Sequence, residues 1–179
     1  ARLKMLHRGG AGGREYCRTR AALLDVLLRY LWDAAKSGLS AQAQNEFPPL
    51  ALVGIGGYGR GELSPLSDVD VMFLFATKTK AAEAKPLQEH LTNEILYILW
   101  DCGLKVGHST RTFDEAFAEA RKDILTKTAL LESRRVTGSE KLHDTFAQAY
   151  RSYYATENPR QYIEARLDDQ ASRRAKYAN

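Results

Sequence analysis

The stretch Ala51 to Phe75, ALVGIGGYGRGELSPLSDVDVMFLF, constrains this chain more than any other. It holds two short apolar runs rich in aliphatic side chains, the pattern of buried strands. Between them lie Gly56, Gly57, Gly59 and Gly61. At the start of the second run Asp68 and Asp70 flank Val69. The stretch therefore predicts two neighbouring strands, a tight turn between them, and a pair of acids beside the turn.

Glycine lets a backbone turn sharply and lets its N–H groups approach a ligand closely. A short helix starting in the turn would aim free N–H groups at an anion, and a triphosphate is the natural guest. Two common nucleotide patterns are excluded. A Walker loop needs Gly-Lys-Ser/Thr, and no Lys lies in this turn. A dinucleotide fingerprint needs a long helix after its glycines, which Pro65 precludes. On glycines alone, a tight turn without a ligand explains the sequence as well.

The aspartates change that balance. Strand alternation puts Asp68 and Asp70 on one face. Two unpaired carboxylates beside a buried strand are costly, and a divalent cation relieves the repulsion. Mg²⁺ is usually held by one or two carboxylates together with substrate phosphates. Asp68 and Asp70 are thus the candidate catalytic and metal-holding residues, with Mg²⁺ or Mn²⁺ as the expected ion.

The remaining chain supplies a scaffold. Ala21, Leu24, Leu27, Leu28 and Leu31 recur at helical spacing and predict a helix over 14–36. Leu87, Leu91, Ile95, Ile98 and Leu99 predict a long helix over 81–102 that ends at Gly103. A third strand is expected over 104–110. Thr112 and Glu115 form a capping-box pattern that opens a helix to about residue 122. Further helices are expected over 123–134, 139–156 and from Pro159 onward, with Gly138 as a break. The order predicts an α/β (α+β) fold, a small sheet flanked by helices. It divides into an N-terminal helical segment (1–47), a core (48–137) and C-terminal helices (138–179) that begin a following region. The polar, open-ended tail reads as part of a longer protein.

Composition narrows the class of partner. The formal charge of +4 suits an anionic ligand such as a nucleotide. A basic N-terminal stretch (Arg2, Lys4, Arg8, Arg14, Arg18, Arg20) has little aromatic interleaving and no recognised binding motif, which points away from nucleic acid. No apolar run approaches the ~18 residues of a membrane span. Cys17 and Cys102 form no CxxC, and no signal pattern opens the chain, so a cytoplasmic location is expected.

Gly56-Gly57, a short spacer and Asp68-Val69-Asp70 resemble the nucleotidyltransferase superfamily typified by DNA polymerase β. GGYGRGELSPLSDVDVMFL is similar, more narrowly, to the nucleotidyltransferase domain of the bifunctional PII uridylyltransferase/uridylyl-removing enzymes. The glycine loop and helix of Gly9 to Asp25, LWDCGLKVGHS (99–109) and LLESR (130–134) extend the resemblance along nearly the whole chain. It implies a DNA polymerase β-like fold with a small mixed sheet. It also implies transfer of a uridylyl group from UTP to a tyrosine of the PII signal protein. Carried over, Gly56 and Gly57 would cradle the triphosphate, Arg60 and Ser67 would orient phosphates, and Asp68 and Asp70 would hold metal.

One departure stands out. Many superfamily members place a third carboxylate on the next strand, and LKVGHST has none. Glu132 is the candidate third metal ligand. Lys105 and His108 are candidates to reach phosphate or base. His143-Asp144 is not read as an HD metal site, because such a site needs further His and Asp on several helices. Three other readings stay open: an adenylyltransferase acting on glutamine synthetase, a catalytically silent nucleotide-binding module, and a nucleic-acid-binding domain.

Overall fold

The computed structural model describes residues 2–46, 48–76 and 81–177. Two helices, α1 (Arg2–Arg8) and α2 (Gly13–Ser37), lead into the short α3 (Ala41–Asn45). Strand β1 (Leu50–Gly54), the one-turn α4 (Gly56–Gly59) and β2 (Val69–Phe75) follow. Helix α5 (Ala81–Leu91) runs through a π-helical turn (Thr92–Leu96) into α6 (Tyr97–Asp101). Strand β3 (Val106–Thr112), α7 (Phe113–Lys122), α8 (Ile124–Leu131) and β4 (Arg134–Gly138) precede α9 (Glu140–Thr156) and α10 (Pro159–Tyr177).

The four strands form one mixed sheet in the order β3-β2-β1-β4. β1 pairs antiparallel with β2 and with β4, while β2 pairs parallel with β3. The expected α/β sheet flanked by helices is therefore present. Side-chain alternation splits the sheet into two apolar layers. Leu50, Leu52, Val69, Val71, Phe73 and Phe75 pack against α2, α5 and the helix following it. Ala51, Val53, Met72 and Leu74 pack on the other face against α7, α8 and α9. Each layer is made by every second residue of the apolar runs in β1 and β2.

Three expectations are corrected. The helix expected over 123–134 stops at Leu131, and Arg134–Gly138 is a strand. Its only buried residue is Val136, so it carries almost no hydrophobic pattern to read. The third strand lies two residues later than expected, at Val106–Thr112, and Thr112 serves both as its end and as the N-cap of α7. The capping box itself is formed: Thr112 accepts from the Glu115 N–H, and the Glu115 carboxylate accepts from the Thr112 N–H at 2.7 Å. In the long helix, Ile98 was expected on the apolar face but is 40% exposed, while Leu96 is buried. The π turn explains this, because one extra residue per turn shifts the phase of everything after it.

His143 lies on α9 with its Nε2 buried and lacking a hydrogen-bond partner. Burial lowers its pKa, and the nearby Arg135 and Arg151 lower it further, against the opposing pull of Asp144 at 3.5 Å from Nδ1. Below the ordinary value of about 6.5 the unfolded chain takes up the proton first. Stability is therefore present above that pH and is lost as pH falls toward the depressed folded value. His143→Leu is expected to leave the melting temperature at pH 7.5 little changed and to flatten its fall between pH 6.5 and pH 5. An unaltered acid slope in thermal denaturation would contradict this.

Candidate active site

The site lies where β1 ends, the glycine turn begins and β2 starts. Antiparallel pairing sets Gly54 opposite Val71, and the Ile55 N–H donates to the Asp70 carbonyl at 3.0 Å. The turn and the acids are thus fixed to one another by the backbone. Gly56 takes φ +58°, a left-handed conformation that L side chains rarely adopt. It faces the acids: a Cβ placed on it would lie 4.0 Å from the Asp70 Oδ2. The next residues close one helical turn, whose first N–H groups have no acceptor within it.

Gly59 is required for a different reason. A Cβ there would fall 2.0 Å from the Glu132 carbonyl oxygen and 2.8 Å from that of Gly54. The turn is pressed against the end of α8 with no room for a side chain. Gly57 meets no such obstacle, its nearest neighbours being at ordinary contact distance.

Asp70 alternates with Met72 and Leu74, so it stands on the face covered by α7, α8 and α9, at the end where that apolar layer stops. Its register partner on β3 is Gly107. A Cβ on Gly107 would come 2.4 Å from the Asp70 Oδ1, so the carboxylate rests on bare backbone. This partial burial raises the Asp70 pKa, and the charge of Asp68 raises it further. Among the described residues no cation forms an ion pair with either acid. Two crowded carboxylates, all oxygen and without a counter-charge, are the donor set that a hard divalent cation fits. Ser67 is exposed at the end of the loop before them, its N–H donating to the Ser64 carbonyl at 3.1 Å.

Glu132 does not join the pair. It caps the C-terminus of α8, and its carboxylate accepts from Arg60. Among the described residues no three His, Cys, Asp or Glu side chains gather as an ion-holding group. His108, a candidate to reach phosphate or base, stands elsewhere on the sheet. It pairs in register with Val71, on the opposite face of the sheet from Asp70, and its ring lies 5.7 Å from that of Trp100. Lys105 precedes β3 and is exposed, its carbonyl accepting from the Val69 N–H at 2.8 Å.

The sequence reading missed a buried cluster behind the turn. Tyr58, 1% exposed, donates its hydroxyl to Asp25 Oδ1 at 2.6 Å. Arg134 from β4 grips the same carboxylate with both arms, at 2.8 and 3.0 Å. Its other hydrogen bonds go to the carbonyls of Gly59, at 3.2 Å, and Tyr58, at 3.3 Å. Burial first, and Asp25 second, push the Tyr58 pKa far above its ordinary value, so it stays a neutral donor. Arg134 closes the LLESR stretch, yet nothing local in the sequence ties it to Asp25. Gly107 could have been suspected, since a glycine inside a strand pattern often marks a close approach.

Residues 14–99 match the model of the glutamate-ammonia ligase adenylyltransferase family. A bifunctional uridylyltransferase/uridylyl-removing enzyme of Phenylobacterium zucineum is 36% identical over 93% of this chain and 17% of its own length. Its counterpart in Thiobacillus denitrificans is 37% identical over 99% of this chain and 19% of its own length. Over nearly all of its own length the chain is similar to these nucleotidyl-transferring enzymes. It spans about a fifth of the length of these curated relatives. Among solved structures, a toxin–antitoxin with AMP-PNP matches at 17% identity and TM-score 0.39, over 72% of this chain and 92% of that one, too distant to bear on the site. Among the described residues no helix is long and apolar enough to cross a membrane.

Proposed function

We propose that this nucleotidyltransferase moves a uridylyl group from UTP to a tyrosine hydroxyl of a PII-type signal protein in the cytoplasm. The observation that carries the reading is the setting of Asp70. It lies beside Gly56 of the turn, rests on Gly107 and shares its surroundings with Asp68. The names of the relatives support uridylyl transfer as the form the chemistry takes.

In this reading the free N–H groups of the glycine turn, at Gly56 and Gly57, receive phosphate oxygens of the triphosphate. Arg60 and Ser67 hold it in register. Asp68 and Asp70 would hold Mg²⁺ or Mn²⁺, which when bound neutralises phosphate charge and stabilises the leaving pyrophosphate. The phenolic oxygen forms a bond to the α-phosphorus, and the bond from that phosphorus to the bridging oxygen breaks. Pyrophosphate leaves and the phenolic proton is released. The chain contributes mostly positioning and charge, which is what such a displacement needs.

The match of residues 14–99 to an adenylyltransferase family supports a second reading, transfer of adenylate from ATP to glutamine synthetase. Purified protein with Mg²⁺, offered UTP or ATP labelled at the α-phosphate, separates the two. Label passing from UTP to a PII protein, with pyrophosphate released, is the expected result. Transfer only from ATP to glutamine synthetase would replace it with the second reading. Nucleotide binding without transfer to either acceptor would leave a silent binding module.

A further inference from the structure

The ion pair between Arg60 and Glu132 bears on how the site holds its nucleotide, and this step rests on the nucleotidyl-transfer reading above. Arg60 follows the one-turn helix, its own N–H donating to the Gly56 carbonyl at 3.0 Å, so its side chain starts at the rim of the turn. One arm of its guanidinium, Nη1, donates to the Glu132 carboxylate. The other arm, Nη2, lies 3.7 Å from where a Cβ on Gly57 would sit. The same fork is therefore tied at one end and open over the glycines at the other. A guanidinium has five donors in a rigid plane, so fixing one arm fixes the direction of the rest.

Glu132 is well placed to act as that tie. Its backbone is clamped to the turn by the close approach at Gly59, so carboxylate and turn keep a fixed spacing. Its side chain is a quarter exposed, half as exposed as that of Arg60. Glu62, the other acid near Arg60, is occupied by Arg14 at 3.0 Å and Arg18 at 3.3 Å. We infer that Glu132 is a positioning residue for the nucleotide: it holds Arg60 so that the free arm meets the phosphates of a nucleoside triphosphate over Gly57.

A double-mutant cycle on UTP affinity tests this, with calorimetry in Mg²⁺ on the purified protein and its Arg60→Ala, Glu132→Ala and doubly substituted forms. Arg60→Ala and Glu132→Ala are each expected to weaken UTP binding about tenfold, the loss of one charge-assisted contact. The double variant is expected to bind no more weakly than Arg60→Ala alone, because Glu132 acts only through that arginine. Glu132→Gln keeps an acceptor for Nη1 and should recover part of the loss. Melting temperatures alike across the set exclude a folding defect as the cause. Losses that multiply in the double variant would overturn the proposal and put Glu132 to work elsewhere, for example on the metal. Tighter UTP binding by Glu132→Ala would overturn it too, making the carboxylate a competitor of the phosphates. A parent protein that binds neither UTP nor ATP would instead defeat the nucleotidyl-transfer reading beneath it.

Discussion

Asp68→Asn and Asp70→Asn are each expected to lower nucleotidyl transfer by on the order of a thousandfold, with the protein still folded. Asparagine keeps the size of the side chain and loses the charge. What is removed is the concentrated negative charge that Asp68 and Asp70 share beside the turn. The folded chain has no use for that charge on its own, since among the described residues neither acid makes an ion pair. Asp70→Asn should therefore melt slightly higher than the parent in EDTA, because a partly buried carboxylate and its repulsive neighbour are relieved. Added Mg²⁺ should raise the melting temperature of the parent and leave that of the double Asn variant unmoved. Release of pyrophosphate, followed together with melting in EDTA and in Mg²⁺, checks all three points. A double variant that still transfers at a tenth of the parent rate would show that the acids are not the functional centre.

How far the sequence carried this conclusion depends on where each part draws its order. β1, β2 and the aspartates were legible because apolar runs and spacing are local properties, and local pattern set the register that brings Gly56 to Asp70. The glycines were legible as a turn, yet their separate reasons were not. Gly59 is demanded by the Glu132 carbonyl, far away in the chain, and Gly56 by its own backbone angle. β4 was invisible because a five-residue strand with two arginines and one buried valine carries no periodic signal. Its Arg134 is satisfied only in three dimensions, by Asp25 far away in the chain. The same holds for Glu132. Residue type made it a candidate metal ligand, and only the folded chain shows its carboxylate paired with Arg60. Residues that act by touching a ligand were easier to find than residues that act by holding another side chain.

Arg134→Ala is expected to be the most destabilising of the polar substitutions, costing about 3–5 kcal/mol. Arg134 joins three elements: Asp25 of α2, the carbonyls of Tyr58 and Gly59 in the turn, and its own strand β4. Removing it leaves the Asp25 carboxylate, only 16% exposed, with Tyr58 and the distant Arg29 at 4.0 Å as remaining partners. Most of the cost is that stranded charge rather than the lost bonds. For a chain of this size it corresponds to a fall in melting temperature of roughly 6–20 °C. Replacing both members, Arg134→Met with Asp25→Leu, removes the charge along with its partner and should restore much of the stability. The double variant should still transfer poorly, because nothing then ties the turn carbonyls to β4, and the N–H groups that meet the phosphates belong to that turn. Recovered stability with weakened UTP binding would place Arg134 and Asp25 behind the site as its support. Recovered stability with full binding would show that the turn keeps its shape from its glycines and its contact with α8 alone.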